Sequence, residues 1–132
     1  MKRKLLAVML SCAALASAAA AARTRQADDP CRDPQSQAEM NMCAAKRFKA
    51  ADAELNRVYN RLASMLGGDS DNLARLKAAE VSWLKYRDDN CGYEAGFFEG
   101  GSMRPLILSS CLERMTKART AELREQIKEQ NQ

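Results

Sequence analysis

Histidine is absent from all 132 residues of the chain. That removes the usual base for a Ser or Cys nucleophile and a common nitrogen ligand for zinc. No C-x-x-C pair occurs either, so the cysteines do not read as a metal site. Neither Gly-Gly pair has the spacing of a phosphate cradle, and both read as turns. No segment alternates apolar and polar residues long enough to be a strand, and no internal repeat is visible. Past residue 22 there is no long apolar run, so no second membrane span is expected. Acids are plentiful, 17 Asp and Glu, but most fall on helix faces that read as solvated. None forms an evident carboxylate pair of the kind that cleaves glycosides. These absences argue for a binding protein rather than an enzyme, with no cofactor and no metal.

What is present begins with a leader. Met1-Lys2-Arg3-Lys4 is basic, Leu5 to Ala22 is apolar, and Ala20-Ala21-Ala22 before Arg23 suits signal peptidase, with Ala14-Leu15-Ala16 as an earlier option. Residues 1–22 are therefore expected to be a signal peptide and the mature chain to be periplasmic or secreted. The run is just long enough to span a bilayer, but its second half is mostly Ala, which partitions weakly; no stable span is expected after processing. A competing reading anchors the chain through a lipid on Cys12. Ser11 fits a lipobox, whereas Met9 and Leu10 do not, and the apolar run continues past the cysteine. Loss of the leader removes Lys2, Arg3 and Lys4, so the 21 cations fall to 18 against 17 acids and the net charge from +4 to +1. The basicity lies mostly in the leader and does not argue for nucleic acid.

The mature chain reads as an arm (23–35), a single helical domain (36–128) and a frayed tail (129–132). Ser36 and Glu39 form a capping box. After it, Ala44, Phe48, Ala51, Leu55, Val58, Leu62 and Met65 alternate spacings of four and three, the seam of a helix packed on another helix. Gly67-Gly68 ends that helix. Asp69-Ser70-Asp71 starts a second, with the seam Leu73, Leu76, Glu80, Trp83 and Arg87, which is expected to fade around Cys91-Gly92. Residues 92–102 are rich in Gly and aromatics and read as a loop. Pro105 opens a third helix whose inner stripe is Leu108, Cys111, Leu112, Met115, Arg119, Leu123 and Ile127. The expected fold is all-α, with three principal antiparallel helices stapled by two disulfides.

Cleavage leaves four cysteines, and three pairings are possible. Cys31–Cys43 and Cys91–Cys111 are preferred, because each closes a short loop; each would contribute about 3 kcal/mol by the chain-entropy estimate. Two constellations carry candidate chemistry. Asp52, Asn56 and Tyr59 on the first helix, and Glu80, Trp83 and Arg87 on the second, are expected to form a structural polar-aromatic cluster in which Arg87 pairs with Asp52 or Glu80. The alternative makes that face a partner site. Tyr93, Phe97 and Phe98 either fold inward beneath a Cys91–Cys111 bridge or form an exposed contact patch.

Taken in order, C…C, D-x-E-L-N-x-x-Y (Asp52 to Tyr59), W-x-x-Y-R-D-x-x-C (Trp83 to Cys91), G-G-S (Gly100 to Ser102), C and T-x-x-R-T-x-E-L (Thr116 to Leu123) resemble the LprI-type lysozyme inhibitor family. The resemblance covers the chain from about Cys31 to Leu123. It implies an exported, disulfide-bonded helical domain whose partner is a protein, lysozyme for the founding members. Inhibition would proceed by occlusion of the muramidase cleft. The expected contact surface is Tyr93, Phe97 and Phe98, with Asp88, Asp89, Glu94 and Glu99 supplying local negative charge toward a basic lysozyme. The alternative is a structural or stress-related cell-envelope protein with no lysozyme activity.

Overall fold

Ser36 caps the first helix, α1 (Gln37–Met65), through the reciprocal bonds of a capping box. Its hydroxyl accepts from the Glu39 amide at 3.2 Å, and the Glu39 carboxylate accepts from the amides of Gln35 (2.7 Å) and Ser36 (3.1 Å). Asp69 caps α2 (Ser70–Gly96) by accepting from the Asn72 amide at 3.0 Å. The third helix, α3 (Arg104–Gln130), carries Pro105 in its first turn, where a missing N–H costs nothing. The computed structural model describes residues 29–131. The expected signal peptide 1–22, Cys12 and the first residues of the arm lie outside the described residues. Residues 29–33 form a turn of their own, in which the Cys31 amide donates to Asp29 Oδ1 at 3.1 Å and the Arg32 amide to the Asp29 carbonyl at 3.0 Å. The three helices belong to the unit that begins at Pro34.

Two boundaries differ from expectation. α2 does not fade at Gly92 but runs four residues further, to Gly96. A helical glycine costs about 1 kcal/mol. Here that is outweighed by Cys91 and Ala95, which are fully buried on the extended turn, and by the bridge at Cys91. The expected loop thus shrinks to the corner between Phe97 and Met103. Successive i→i+3 bonds close that corner: Phe98 to Ala95, Glu99 to Gly96, Gly101 to Phe98 and Arg104 to Gly101. Gly100 sits at φ +75°, the left-handed conformation that glycine adopts without strain. At the other end, α3 continues through Gln130, into residues expected to fray.

Consecutive helices run antiparallel, so α1 and α3 run in the same direction. Contacts climb the two helices together: the Asn41 amide to the Ser102 carbonyl just before α3, then Arg47 to Glu113 and Arg124 to Glu54. The α1–α3 interface is the most extensive, α2 packs on α3, and α1 and α2 make no broad direct contact. Leu55, Val58, Leu62, Leu76, Leu123 and Ile127 form the apolar core near the α1–α2 connection, with Tyr59 and Trp83 packed against it. Met65, expected to close the α1 seam, is exposed, and Leu66 beside it packs against the apolar cluster in its place. Among the described residues the opposite end of the bundle has no such cluster of fully buried large side chains. It buries Cys43, Ala44, Cys91, Ala95 and Cys111. Cys91 and Cys111 are bridged, and Cys31 and Cys43 are also disulfide-bonded. Small residues let helices approach closely but remove little apolar area from water, so the Cys91–Cys111 bridge supplies what the small core there does not.

Leu123→Ala should lower stability by about 2–5 kcal/mol, since the residue is fully buried within the apolar cluster. Serine at both Cys91 and Cys111 should lower it by about 3 kcal/mol. Urea melts measure both. The cap acids predict a pH dependence as well. The backbone bond from Gln35 foremost lowers the Glu39 pKa, and that from Asn72 lowers the Asp69 pKa. A carboxyl that titrates lower when folded stabilises above its unfolded pKa, and that contribution fades as pH falls through the folded value. The urea midpoint should therefore drop in acid, and Glu39→Gln combined with Asp69→Asn should flatten part of that slope.

Candidate functional site

Between the apolar core and the disulfide end lies a belt of charged and aromatic side chains. Arg87 projects from α2 and is only 7% exposed. Its guanidinium donates to Asp52 of α1 at 3.3 Å, to Thr116 Oγ1 of α3 at 3.3 Å and to Asp88 at 2.9 Å. It lies 5.3 Å from the centre of the Trp83 ring and 5.4 Å from that of Phe48, within range of cation–π attraction. Glu80 takes a different partner. Arg119 of α3 donates to its Oε2 from Nε at 3.1 Å and from a terminal nitrogen at 3.0 Å, while also binding Glu122 and lying 5.9 Å from the Trp83 ring. Of the two partners expected for Arg87, the structure gives Asp52.

Thr116 and Thr120 are buried in the belt, and the Thr120 hydroxyl donates to the Thr116 carbonyl at 2.8 Å. Apolar periodicity passes over both residues, and only the T-x-x-R-T-x-E-L motif marks them. Phe48 was legible only as an α1 seam residue, because its contact with Arg87 requires the third dimension. Trp83 is half-buried, with one part against the core and another against guanidinium groups, so both its apolar area and its quadrupole are used.

Asp52, Leu55, Asn56 and Tyr59 of α1 face Lys77 and Val81 of α2 across an open groove of about 450 Å³. The groove exists because α1 and α2 are held apart on α3. The Asn56 amide donates back to the Asp52 carbonyl at 2.9 Å and to its carboxylate at 3.3 Å, which fixes that carboxylate toward Arg87. The D-x-E-L-N-x-x-Y face therefore serves the belt at one edge and lines the groove at the other.

The second surface is the α2–α3 corner. Tyr93 is 68% exposed and Phe97 72%, with their rings edge to face at 5.2 Å. Phe98 and Met103 are exposed beside them in the chain. The corner aromatics thus turn outward. The four acids of this region are all engaged on the protein itself: Asp88 with Arg87 (2.9 Å), Asp89 with Lys85 (2.5 Å), Glu94 with Arg114 (2.9 Å) and Asn90 (2.9 Å), and Glu99 with Arg104 (2.7 Å). Each presents a paired charge rather than a free one. The bridge Cys91–Cys111 lies against Met115, whose sulfur is 3.6 Å from Cys91 Sγ and accepts from the Asn90 amide at 3.4 Å.

The belt residues differ in what their loss should cost. Arg119→Ala leaves Glu80 nearly buried without its partner and should cost about 3–5 kcal/mol in urea melts. Arg87→Ala should cost less, about 1–3 kcal/mol, because its carboxylate partners keep access to water. Trp83→Ala should cost about 2–3 kcal/mol, below the value for a fully buried Trp, since the ring is partly accessible.

Comparison with known proteins bears on both surfaces. Residues 27–123 match the family described as Lysozyme inhibitor LprI. An uncharacterized protein of Rhizobium meliloti (strain 1021) is 39% identical over 134 residues, which cover 91% of this chain and 90% of that protein. The crystal structure of a DUF1311 family protein from Pseudomonas putida KT2440 superimposes with a TM-score of 0.62 at 26% identity, covering 70% of this chain and 91% of the other. All the motifs quoted above from Cys31 to Leu123, the belt and the corner included, fall within the matched span, and the chain belongs to the LprI lysozyme inhibitor family.

Proposed function

We propose that this protein is exported to the periplasm or beyond and inhibits a lysozyme-type muramidase by occluding its cleft, without cofactor or turnover. Family membership supports the target class. The observation that carries the reading is the exposed Tyr93–Phe97 pair on a corner whose two helices are bridged by Cys91–Cys111. Exposed adjoining aromatics on a small domain mark a contact surface, and a corner already closed by hydrogen bonds loses little freedom when it is bound. The oxidised cysteines support an exported location. Among the described residues no helix is long and apolar enough to cross a membrane.

Clearing of a cell-wall suspension by a panel of lysozymes tests the function. Stoichiometric protein should slow at least one of them. Phe97→Ala with Phe98→Ala should weaken that inhibition at least tenfold, about 1.4 kcal/mol, while the melting midpoint moves little. Slowing of no lysozyme in the panel would favour the second reading, an envelope protein without lysozyme activity. The pairing of Asp88, Asp89, Glu94 and Glu99 gives that reading its support, because the corner offers a basic lysozyme little free negative charge.

A further inference from the structure

We infer that Arg104 is the group at the corner that meets a carboxylate in the muramidase cleft, an assignment that rests on the corner being the inhibitory surface. Glycoside hydrolases of the usual kind carry two Asp or Glu side chains flanking the scissile bond. A protein that plugs such a cleft strips water from those carboxylates, and a carboxylate left dry and unpaired is heavily penalised. The plug therefore needs a donor as well as aromatic surface.

The cations near the corner differ in what they have left to offer. All the guanidinium nitrogens of Arg87 are engaged within the belt, and the side chain is nearly inaccessible. Arg114 gives one terminal nitrogen to both oxygens of Glu94 and to Cys111 Sγ, and it lies well inside α3 rather than at the turn. Lys85 is a point charge held by Asp89. Arg104 is bound to Glu99 through Nε alone, at 2.7 Å. Among the described residues its two terminal nitrogens have no hydrogen-bond partner, and its side chain is 39% exposed. A guanidinium held at Nε with its far nitrogens open presents a fork to an incoming carboxylate.

The position is also pre-ordered. The Arg104 amide is bonded to the Gly101 carbonyl, Gly100 sets the turn at φ +75°, and exposed Met103 precedes it in the chain. Glu99 is 73% exposed, so its pair with Arg104 is a surface ion pair that contributes little to stability and opposes a partner's carboxylate only weakly. The chemistry this corner fits is therefore an apolar rim around an acidic floor.

A double-mutant cycle by titration calorimetry tests the assignment. It uses the mature protein, a muramidase it inhibits, and the same muramidase with its catalytic Glu replaced by Gln. Arg104→Gln should weaken binding to the unaltered enzyme at least tenfold and to the Gln enzyme less than threefold. Arg104→Lys should recover only part of the loss, because an ammonium lacks the fork. Phe97→Ala should weaken binding to both enzymes equally. Urea melts of the Arg104 variants should match the parent, which separates lost contact from lost fold. An unchanged affinity for Arg104→Gln, or an equal loss against both enzymes, overturns the role of Arg104 while leaving the corner as the inhibitory surface if Phe97→Ala still weakens binding. If the parent binds no muramidase, the functional reading fails and this inference fails with it.

Discussion

Arg87 is the constraint on which the arrangement of helices depends. It belongs to α2, yet it also reaches Asp52 on α1 and Thr116 on α3, and these two elements otherwise meet each other far more than α1 meets α2. A guanidinium this inaccessible is tolerable only when its donors are satisfied, and Asp52, Thr116 and Asp88 do that while Trp83 and Phe48 offer ring faces. Each contact fixes a height and a rotation. The position of α2 along α3 is set by the same residue that sets the distance between α2 and α1. The Glu80–Arg119 pair one level below repeats the device between α2 and α3. A hydrophobic seam alone tolerates sliding by a turn, whereas this belt gives up several charged hydrogen bonds if either helix slides.

The two ends of the bundle are stabilised by different means. The apolar cluster around Leu62, Leu76 and Leu123 holds the end where α1 turns into α2. The other end relies on small buried residues and bridged cysteines, which leaves its outer surface free of core duty. Aromatic side chains at Tyr93 and Phe97 can then stay in water without emptying the interior. The corner is closed by local bonds, a chain of turn hydrogen bonds around Gly100, rather than by packing under other elements.

The open groove between α1 and α2 follows from the same geometry. Because α3 carries both helices, Leu55 and Tyr59 reach its core on one side while Lys77 and Val81 face outward across a gap on the other. The D-x-E-L-N-x-x-Y motif is thereby accounted for largely by structure: Leu55 in the core, Tyr59 against it, Asn56 orienting Asp52, and Asp52 receiving Arg87.

The sequence by itself determined the helical class, the capping residues Ser36 and Asp69, the α1 seam as far as Leu62, and the family to which the chain belongs. Those features are local or periodic: a capping box spans four residues, and a seam repeats every seven, so a one-dimensional pattern carries them. The extension of α2 through Gly92 was not legible, because glycine's unfavourable propensity is overruled by the burial of Cys91 and Ala95, which depends on where α3 lies. The partner of Arg87 was narrowed to Asp52 or Glu80 but not chosen, since both acids sit at compatible helical positions and only the splay of α1 from α2 sends Glu80 to Arg119 instead. The outward turn of Tyr93 and Phe97 was likewise decided by tertiary structure. Aromatic composition is the same whether a ring is buried or exposed, and the interior of that end was already filled by alanine and cysteine.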